Sequence, residues 1–379
     1  MKIFVFSSSI YGGHEMMAIK IINALFLRGD IKILVIVNDK ISDNVLDVLN
    51  PEIDFKKFSF RQRNFENVMG WINPFIYYDC FKLYKLLAKP AGEMIVINGG
   101  VSASHSNTLS LLLFSKAFKL KTCIYFPMYH SSKELGLSLA KSISYTRACK
   151  RVVNFVDNFI TIDSLWKDRL ITAFDVCETR VKVIHNYIPI NDFGKCDSNL
   201  DAGKNLNNSV VLGFVGRFDM HQKGLDILLK VLYHLDSKLD RAVEFIFVGD
   251  GPYRKYFESV IKINQLVNIN CTFLGWVDNA PSIIKNFDTL IMTSRCEGIP
   301  TVMVEALGLN VNVLAFNIPG VSKILPSNCL VDAFCVEAMA ERILETVSKD
   351  FDCNYDKAYI EGLFDYKRFC NEVSSVLGK

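Results

Sequence analysis

The chain has 379 residues, of which 50% are hydrophobic and 22% are charged, and its net charge is +3. This length exceeds what one ordinary core supports, so two domains are expected, and the composition excludes a disordered chain. A net charge this small does not indicate nucleic-acid binding, so we expect no nucleic-acid partner.

The eleven cysteines are scattered and form no Cys-x-x-Cys pair and no cluster at zinc spacing. Their odd number, mostly inside apolar runs, predicts buried thiols in a reducing compartment. The N-terminus has no signal-peptide pattern, and no apolar stretch approaches the length that crosses a bilayer. We therefore expect a cytoplasmic protein, whose mild basic excess permits peripheral contact with the inner face of the membrane.

The first half opens with an apolar strand at 3–6, a loop with Gly12 and Gly13, and a helical pattern from Met16. Strand, glycine loop and helix begin a nucleotide-type α/β unit. A Gly-x-Gly-x-x-Gly fingerprint is missing, so a dehydrogenase has little support. Apolar runs that are mostly separated by helical segments predict a parallel sheet covered on both faces, with further strands at 31–37, 94–97, 122–126, 159–162 and 181–184.

The stretch 55–85 is unusual because it holds ten aromatic and six basic residues against Glu66 and Asp79. Basic and aromatic residues together are typical of a surface that contacts lipid. They are also compatible with ordinary helices whose aromatics fill the core, since the chain holds 28 phenylalanines throughout. Both interpretations stay open at this point.

A polar segment at 189–209 marks the clearest domain boundary, and a second series of strands follows at 210–215, 245–248, 271–274, 289–292 and 311–315. After the strand at 289–292, Glu297 lies on a turn, a helix opens at about Thr301, and Glu305 lies two turns farther on. A helix start suits phosphate, and carboxylates accept hydrogen bonds from sugar hydroxyls. In isolation, however, such a Glu-x7-Glu pair also fits a helix cap and a solvent-facing side chain.

Four further segments (213–218, 221–226, 247–252 and 273–277) precede this motif, and in order and spacing the whole set resembles the donor half of retaining GT-B glycosyltransferases of family 4. The resemblance implies an α/β fold of GT-B type, with two Rossmann-like parallel-sheet domains facing across a cleft. It implies an acceptor-side domain at 1–188, a linker at 189–209, a donor domain at 210–359, and a helix at about 360–379 that returns to the first domain.

The resemblance also implies the site residues. Arg217 and Lys223 would clamp a diphosphate, and Glu297 would lie near the sugar and its leaving phosphate. His130, just beyond a strand end, would contact the donor sugar, with His105 a weaker candidate. These implied catalytic residues are joined by donor-binding positions at Gly13, Gly216, Trp276, Val277, Gly298, Ile299, Pro300, Thr301 and Glu305.

The implied reaction is retaining transfer of a sugar from a nucleotide-diphosphate sugar to a hydroxyl of a saccharide or lipid-linked acceptor, in bacterial surface polysaccharide or lipopolysaccharide synthesis. No Asp-x-Asp stands where a metal-dependent transferase keeps its ion, so we expect no metal and no other cofactor. Two segments depart from the family pattern, at Asn186-Tyr187 and at 308–313. A non-hydrolysing sugar-nucleotide epimerase and a non-catalytic nucleotide-sugar-binding protein remain as alternatives.

Overall fold

A computed structural model divides the chain into two units, Met1–Tyr187 with Tyr366–Lys379, and Ile188–Asp365. The structure describes residues 1–8, 12–40, 46–60, 74–87, 90–101, 106–135, 137–188, 209–277, 279–348 and 351–378. His105 and nearly all of the predicted linker at 189–209 lie outside these ranges.

The first unit is built on a parallel sheet with the strand order β3-β2-β1-β4-β5-β6-β7. The strands are β1 (Lys2–Phe6), β2 (Ile33–Asn38), β3 (Asp54–Phe58), β4 (Glu93–Ile97), β5 (Lys121–Tyr125), β6 (Asn158–Thr161) and β7 (Val181–Val183). Strand β1 pairs with β2 on one side and with β4 on the other, and all five of its residues are buried. Its apolar run at 3–6 is what a strand covered on both faces requires.

Helices cover this sheet at α1 (Gly13–Phe26), α2 (Pro74–Leu87), α3 (Ser106–Ala117), α4 (Leu139–Phe155), α5 (Ser164–Phe174) and, from the end of the chain, α12 (Tyr366–Leu377). Helix α12 packs against α1. The Tyr187 ring lies 5.2 Å from the rings of both Tyr366 and Phe369. The unusual residue after Asn186 is therefore a packing residue that holds the returning helix.

The second unit repeats the plan with the order β10-β9-β8-β11-β12-β13. Its strands are β8 (Val211–Val215), β9 (Val243–Val248), β10 (Ile269–Gly275), β11 (Thr289–Met292), β12 (Asn312–Phe316) and β13 (Leu330–Val331). Its helices are α6 (Leu225–Asp236), α7 (Arg254–Asn264), α8 (Pro281–Ile284), α9 (Thr301–Gly308), α10 (Val336–Ser348) and α11 (Lys357–Phe364). The prediction of two Rossmann-like parallel-sheet domains is confirmed.

Stacked phenylalanines form much of the core of the second unit. The Phe247 ring lies 4.6 Å from those of both Phe245 and Phe273, and Phe218 and Phe257 pack against it edge-on or tilted. Offset and edge-to-face aromatic pairs add about 0.5–1.5 kcal/mol each beyond the area they bury. The abundance of phenylalanine thus has a structural role in this unit.

Two features correct the sequence interpretation. Strands β3 and β13 were not predicted, because one is charged and exposed and the other has only two residues. The expectation of free thiols is wrong for Cys329 and Cys353, which are buried and joined as a disulfide, with a Cα–Cα distance of 6.1 Å. Among the helices that the described ranges contain, none combines the length and the apolar composition needed to cross a membrane.

Candidate functional site

The loops that matter in the second unit lie at the carboxyl edge of its sheet. The strand order reverses between β8 and β11, and in open parallel sheets ligands bind outside the carboxyl ends of the strands at such a reversal. The loop after β8 carries Arg217 and Lys223, and the loop after β11 carries Glu297. The fold therefore places the two predicted cations and the first predicted carboxylate on neighbouring loops.

Lys223 and Glu297 meet directly, with 2.6 Å between Lys223 Nζ and Glu297 Oε1. Their side chains are only 16% and 7% exposed. Ser294 Oγ donates a second hydrogen bond of 2.7 Å to the same oxygen. A charge this deeply buried needs a partner, and removing one member of such a pair leaves the other uncompensated. The predicted convergence of Lys223 with the Glu297 loop is thus present in the structure.

Gly224, whose φ is +64°, directly follows Lys223 and packs closely against the loop after β11. A Cβ atom at this position would lie 2.1 Å from the carbonyl oxygen of Thr293, so only glycine fits. Thr293 Oγ1 also donates to the carbonyl oxygens of Lys223 and Gly224, at 3.1 and 3.3 Å. These contacts join the two loops through backbone atoms just beside the ion pair.

Arg217 lies on the same loop as Lys223 but faces outward. Its side chain is 45% exposed, and Nη2 donates to Gln222 Oε1 at 2.9 Å. Asp219 Oδ2 lies 3.8 Å from the same nitrogen. The guanidinium is therefore held by contacts within its own loop, with a large exposed surface that a ligand can reach.

A second ion pair, which the sequence interpretation missed, joins the same two loops. Arg295 makes a bidentate contact with Asp226, at 2.8 Å from Nη1 to Oδ1 and 2.7 Å from Nη2 to Oδ2. Its Nη1 also donates to the carbonyl oxygens of Met220 and His221. The backbone N–H of Arg295 donates to the carbonyl oxygen of Gln222.

The hydrogen bonds from Arg295 hold the pKa of Asp226 below its ordinary value, and the same contact raises the pKa of Arg295. Because Arg295 bonds residues 220–222, it fixes the loop between Arg217 and Lys223. The only sequence signal was an opposite charge beside each motif, three residues after Lys223 and two before Glu297.

The turn 297–300 leads into α9, whose N-cap is Pro300 and whose first residue is Thr301. Gly320, at φ +87°, supports this turn from the loop after β12. A Cβ atom on Gly320 would come within 1.7 Å of the carbonyl oxygen of Gly298. The predicted phosphate-facing positions Gly298, Ile299, Pro300 and Thr301 thus form one tightly packed turn at a helix start, where the first N–H groups lack intrahelical partners.

Glu305 lies in the middle of α9 and is half-buried, between the buried residues Val304 and Ala306. The departure from the family pattern follows this helix, where Asn310 adopts a left-handed conformation with φ 55°. Asparagine tolerates this conformation, so the altered sequence still ends the helix and leads into β12.

Trp276 and Val277 follow β10 at the same edge of the sheet. The indole is 65% exposed, and Val277 is half-buried. The backbone N–H of Gly249 donates to the carbonyl oxygen of Gly275 at 2.7 Å, which joins the loop after β10 to the loop after β9. Gly216, in turn, donates from its N–H to the carbonyl of Val248. The loops after β8, β9 and β10 therefore form one continuous edge.

The predicted residues of the first unit have different surroundings. Gly13 is the exposed first residue of α1, and a Cβ atom there would meet nothing within 4 Å. His130 follows β5, with its ring 5.3 Å from that of buried Trp166 and its Nε2 2.9 Å from Met128 Sδ. Across all the ranges that the structure describes, no three His, Cys, Asp or Glu side chains are grouped as metal ligands.

Comparison with known proteins agrees with this geometry. Residues 209–349 match the family model described as glycosyl transferases group 1. A GalNAc-alpha-(1->4)-GalNAc-alpha-(1->3)-diNAcBac-PP-undecaprenol alpha-1,4-N-acetyl-D-galactosaminyltransferase of Campylobacter jejuni is 34% identical over 34% of this chain and 33% of its own length. A UDP-Gal:alpha-D-GlcNAc-diphosphoundecaprenol alpha-1,3-galactosyltransferase of Escherichia coli is 25% identical over 45% of each chain. The chain thus spans less than half the length of these relatives.

Among solved structures, Anabaena HepE in complex with UDP-glucose superimposes with a TM-score of 0.74 at 18% identity, covering 100% of this chain and 99% of the other. The lipopolysaccharide outer core galactosyltransferase WaaB superimposes with a TM-score of 0.63 at 17% identity, covering 100% and 99%. At these identities the likeness shows the fold, which is that of the GT-B glycosyltransferases.

Proposed function

Because residues 209–349 match the family model of the group 1 glycosyl transferases, we propose that this protein is a glycosyltransferase. It takes a sugar from a nucleotide-diphosphate sugar, retains the anomeric configuration, and transfers the sugar to a hydroxyl of a saccharide or lipid-linked glycan. The setting we propose is the synthesis of a bacterial surface polysaccharide or lipopolysaccharide.

The observation that carries the proposal is the buried ion pair of Lys223 and Glu297, which are 2.6 Å apart at the strand-order reversal. When the bond from the anomeric carbon to the diphosphate breaks, negative charge grows on the leaving phosphate. A fixed ammonium stabilises that charge without reorganising during the reaction, and such electrostatic stabilisation is usually the largest catalytic contribution. Glu297 keeps Lys223 in position and lies close to where the sugar would be bound.

The other residues of the edge have supporting roles in the proposal. The exposed guanidinium of Arg217, which contacts Gln222, makes bidentate hydrogen bonds with the diphosphate. The turn 297–300 and the start of α9 present N–H groups and the positive end of the helix dipole to the same phosphates. Glu305 accepts hydrogen bonds from ribose hydroxyls, and the backbone at Trp276 and Val277 holds the base.

In the first unit, we propose that His130 contacts the donor sugar and that the backbone at Gly13 approaches the donor or the acceptor. With a lysine, an arginine and a helix start to balance the leaving diphosphate, the reaction needs no metal ion or other cofactor. A chelator is therefore expected to leave the rate unchanged.

The names of two relatives guide the choice of acceptor. The proteins of Campylobacter jejuni and Escherichia coli are both named for transfer to glycans on a diphosphoundecaprenol-type carrier. We propose an acceptor of that class for this protein.

The decisive experiment starts with UDP-, GDP- and ADP-sugars, each tested for thermal stabilisation of the protein, since a ligand bound to the native state raises its melting temperature. The stabilising donor is then incubated with lipid-linked glycans, and the anomeric configuration of the product is read by NMR. Lys223→Gln removes the charge but keeps a hydrogen-bond donor for Glu297. We expect it to lower kcat/KM by about 100-fold or more.

Lys230→Gln is the matched control, because Lys230 is exposed on α6 and its substitution is expected to leave kcat/KM unchanged. Equal donor affinity and equal rates in the wild type, Lys223→Gln and Glu305→Gln would refute the site. Conversion of the donor without any acceptor would favour an epimerase. Donor binding without turnover, across the acceptor panel, would favour a binding protein.

A further inference from the structure

The outward face of α2 is aromatic. Tyr77, Tyr78, Phe81 and Tyr84 are 53%, 53%, 54% and 45% exposed. Tyr77, Phe81 and Tyr84 follow a spacing of four and three residues, so they form one stripe along the helix. This resolves the open interpretation of the stretch 55–85 for these four side chains, because the expectation that they fill the core is wrong.

The opposite face of the same helix supplies the contact with the protein core. Ile76, Leu83 and Leu87 are buried there, and α2 packs against α3. An ordinary surface helix shows polar residues to solvent once its apolar stripe is buried. Helix α2 instead has apolar side chains on both faces, and the rings of the outer face are about half exposed. We call the outer set of Tyr77, Tyr78, Phe81 and Tyr84 the aromatic face.

Lysines lie directly on the aromatic face. Lys82 Nζ lies 4.6 Å from the centre of the Tyr78 ring, and Lys85 Nζ lies 4.6 Å from that of Phe81. Each lysine is four residues after its ring, so the helix itself sets these cation–π pairs. The two ammonium groups are therefore held next to exposed rings of the aromatic face.

Neighbouring elements extend the same surface. Phe118, just after α3, is 37% exposed, and its ring stacks on that of Tyr84 with the centroids 5.2 Å apart. Lys56, exposed on the edge strand β3, donates from Nζ to the carbonyl oxygen of Leu86 at 2.8 Å. Exposed Lys57 and Lys119 adjoin these elements, and the acidic residues in the same segments are Asp54 and Asp79. Among the described residues of these elements, the balance of charge around the aromatic face is positive.

We propose that the aromatic face of α2 and its lysines dock the first unit onto an anionic lipid surface. Tyrosine and phenylalanine rings with exposed area favour the boundary between lipid headgroups and acyl chains. Lysines at that boundary are attracted by anionic headgroups, with an effect that adds for each lysine near the surface. Charge complementarity therefore selects anionic lipid as the occupant. The inference needs no donor and no catalysis, so it holds or fails separately from the proposed function.

The test is co-sedimentation of the full chain with vesicles of phosphatidylcholine alone or mixed with phosphatidylglycerol. We expect binding only to the anionic vesicles, and we expect added salt to weaken it. The triple variant Tyr77→Ser, Phe81→Ser, Tyr84→Ser removes the stripe, and the double variant Lys82→Ser, Lys85→Ser removes the charges. Each should lower the partition coefficient about tenfold or more.

Matched controls come from the second unit. Ile263→Ser with Val267→Ser removes two side chains that are 77% and 82% exposed, and Lys262→Ser with Lys285→Ser removes two exposed lysines. Both control pairs should bind vesicles as the wild type does. Because every substituted side chain is at the surface, melting temperatures should match, and the lysine variant remains informative if the aromatic one does not fold.

Three outcomes would overturn the proposal. The first is equal binding to neutral and anionic vesicles. The second is vesicle binding that neither variant reduces. The third is a dimer in sedimentation velocity that the aromatic variant dissociates, since the aromatic face would then be an interface between two copies of the chain.

Discussion

The two sheets share one strand order through their first six strands, yet their carboxyl edges differ. In the second unit, adjacent loops are joined by two ion pairs, Lys223 with Glu297 and Arg295 with Asp226, and by the close approach of Gly320 to Gly298. In the first unit, His130 contacts its own loop and a buried ring, and a Cβ atom on Gly13 would meet nothing within 4 Å. A shared topology therefore offers two similar edges, and loop chemistry decides which one is held together by ion pairs.

The largest effect on stability is expected from a pair of glycine substitutions that test the difference between the two carboxyl edges. Gly320→Ala places a methyl group against the Gly298 carbonyl at a positive φ, so we expect the free energy of unfolding to fall by about 2 kcal/mol or more. Gly13→Ala meets open space and should change it by less than about 0.5 kcal/mol. Urea unfolding followed by circular dichroism measures both.

The same pair sharpens the functional side of the comparison. Gly320→Ala should also weaken donor binding, because the turn 297–300 must shift. If Gly13→Ala lowers activity while leaving stability intact, the backbone at Gly13 approaches a substrate as we propose. Equal destabilisation by the two substitutions would contradict the difference between the edges.

The next largest effect is a loss of donor affinity on substitution of Arg295. Arg295→Ala removes the fork on Asp226 and the bonds to residues 220–222, so the loop carrying Arg217 and Lys223 loses its position. We expect donor affinity to fall about tenfold, equivalent to about 1.4 kcal/mol, measured by calorimetry. Arg295→Lys should recover only part of it, because an ammonium cannot replace a planar fork.

The control is Arg342→Ala, which removes an exposed pair with Glu345 on α10. Surface pairs of this kind contribute about 0–1 kcal/mol to stability, and donor affinity should not change. A wild-type affinity in Arg295→Ala would show that the second ion pair has no part in holding the site.

The smallest expected effect is a dependence of stability on pH. Because Arg295 lowers the pKa of Asp226 in the folded state, the pair stabilises the protein above the ordinary pKa of 3.8. That contribution is lost as the pH falls through the lower, folded-state pKa. We therefore expect Asp226→Asn to melt below the wild type at neutral pH, with the gap closing in acid. A gap that is constant from neutral to acidic pH would contradict the assignment.

The sequence predicted much of this structure, for physical reasons. Strands such as β1 and β11 are buried on both faces, and they therefore have short, mostly apolar sequences that are easily identified. Edge strand β3, with the sequence Asp-Phe-Lys-Lys-Phe, lacks that pattern because four of its five residues are exposed. The Lys223 and Glu297 motifs were predicted through the family resemblance, since either one alone also fits a surface pair or a helix cap.

What the sequence did not reveal depends on contacts between distant residues. Asp226 and Arg295 are 69 residues apart, and nothing local to either specifies the pairing. The outward direction of the aromatic face depends on which side of α2 meets α3. Pairing of Cys329 with Cys353 likewise depends on the fold bringing the segment after α10 back to the segment before β13.

The ring contact between Tyr187 and Tyr366 has a practical meaning for dissecting the chain. These residues are the last of one stretch and the first of the other in the first unit, and their rings lie 5.2 Å apart. The intervening unit also closes on itself, where the N–H of Ile188 donates to the Leu363 carbonyl at 3.1 Å. The second unit is therefore an insertion between the two stretches of the first unit. A short linker that joins Tyr187 to Tyr366 should yield the first unit as a separate domain, whereas cleavage at residue 188 would remove helix α12 from it.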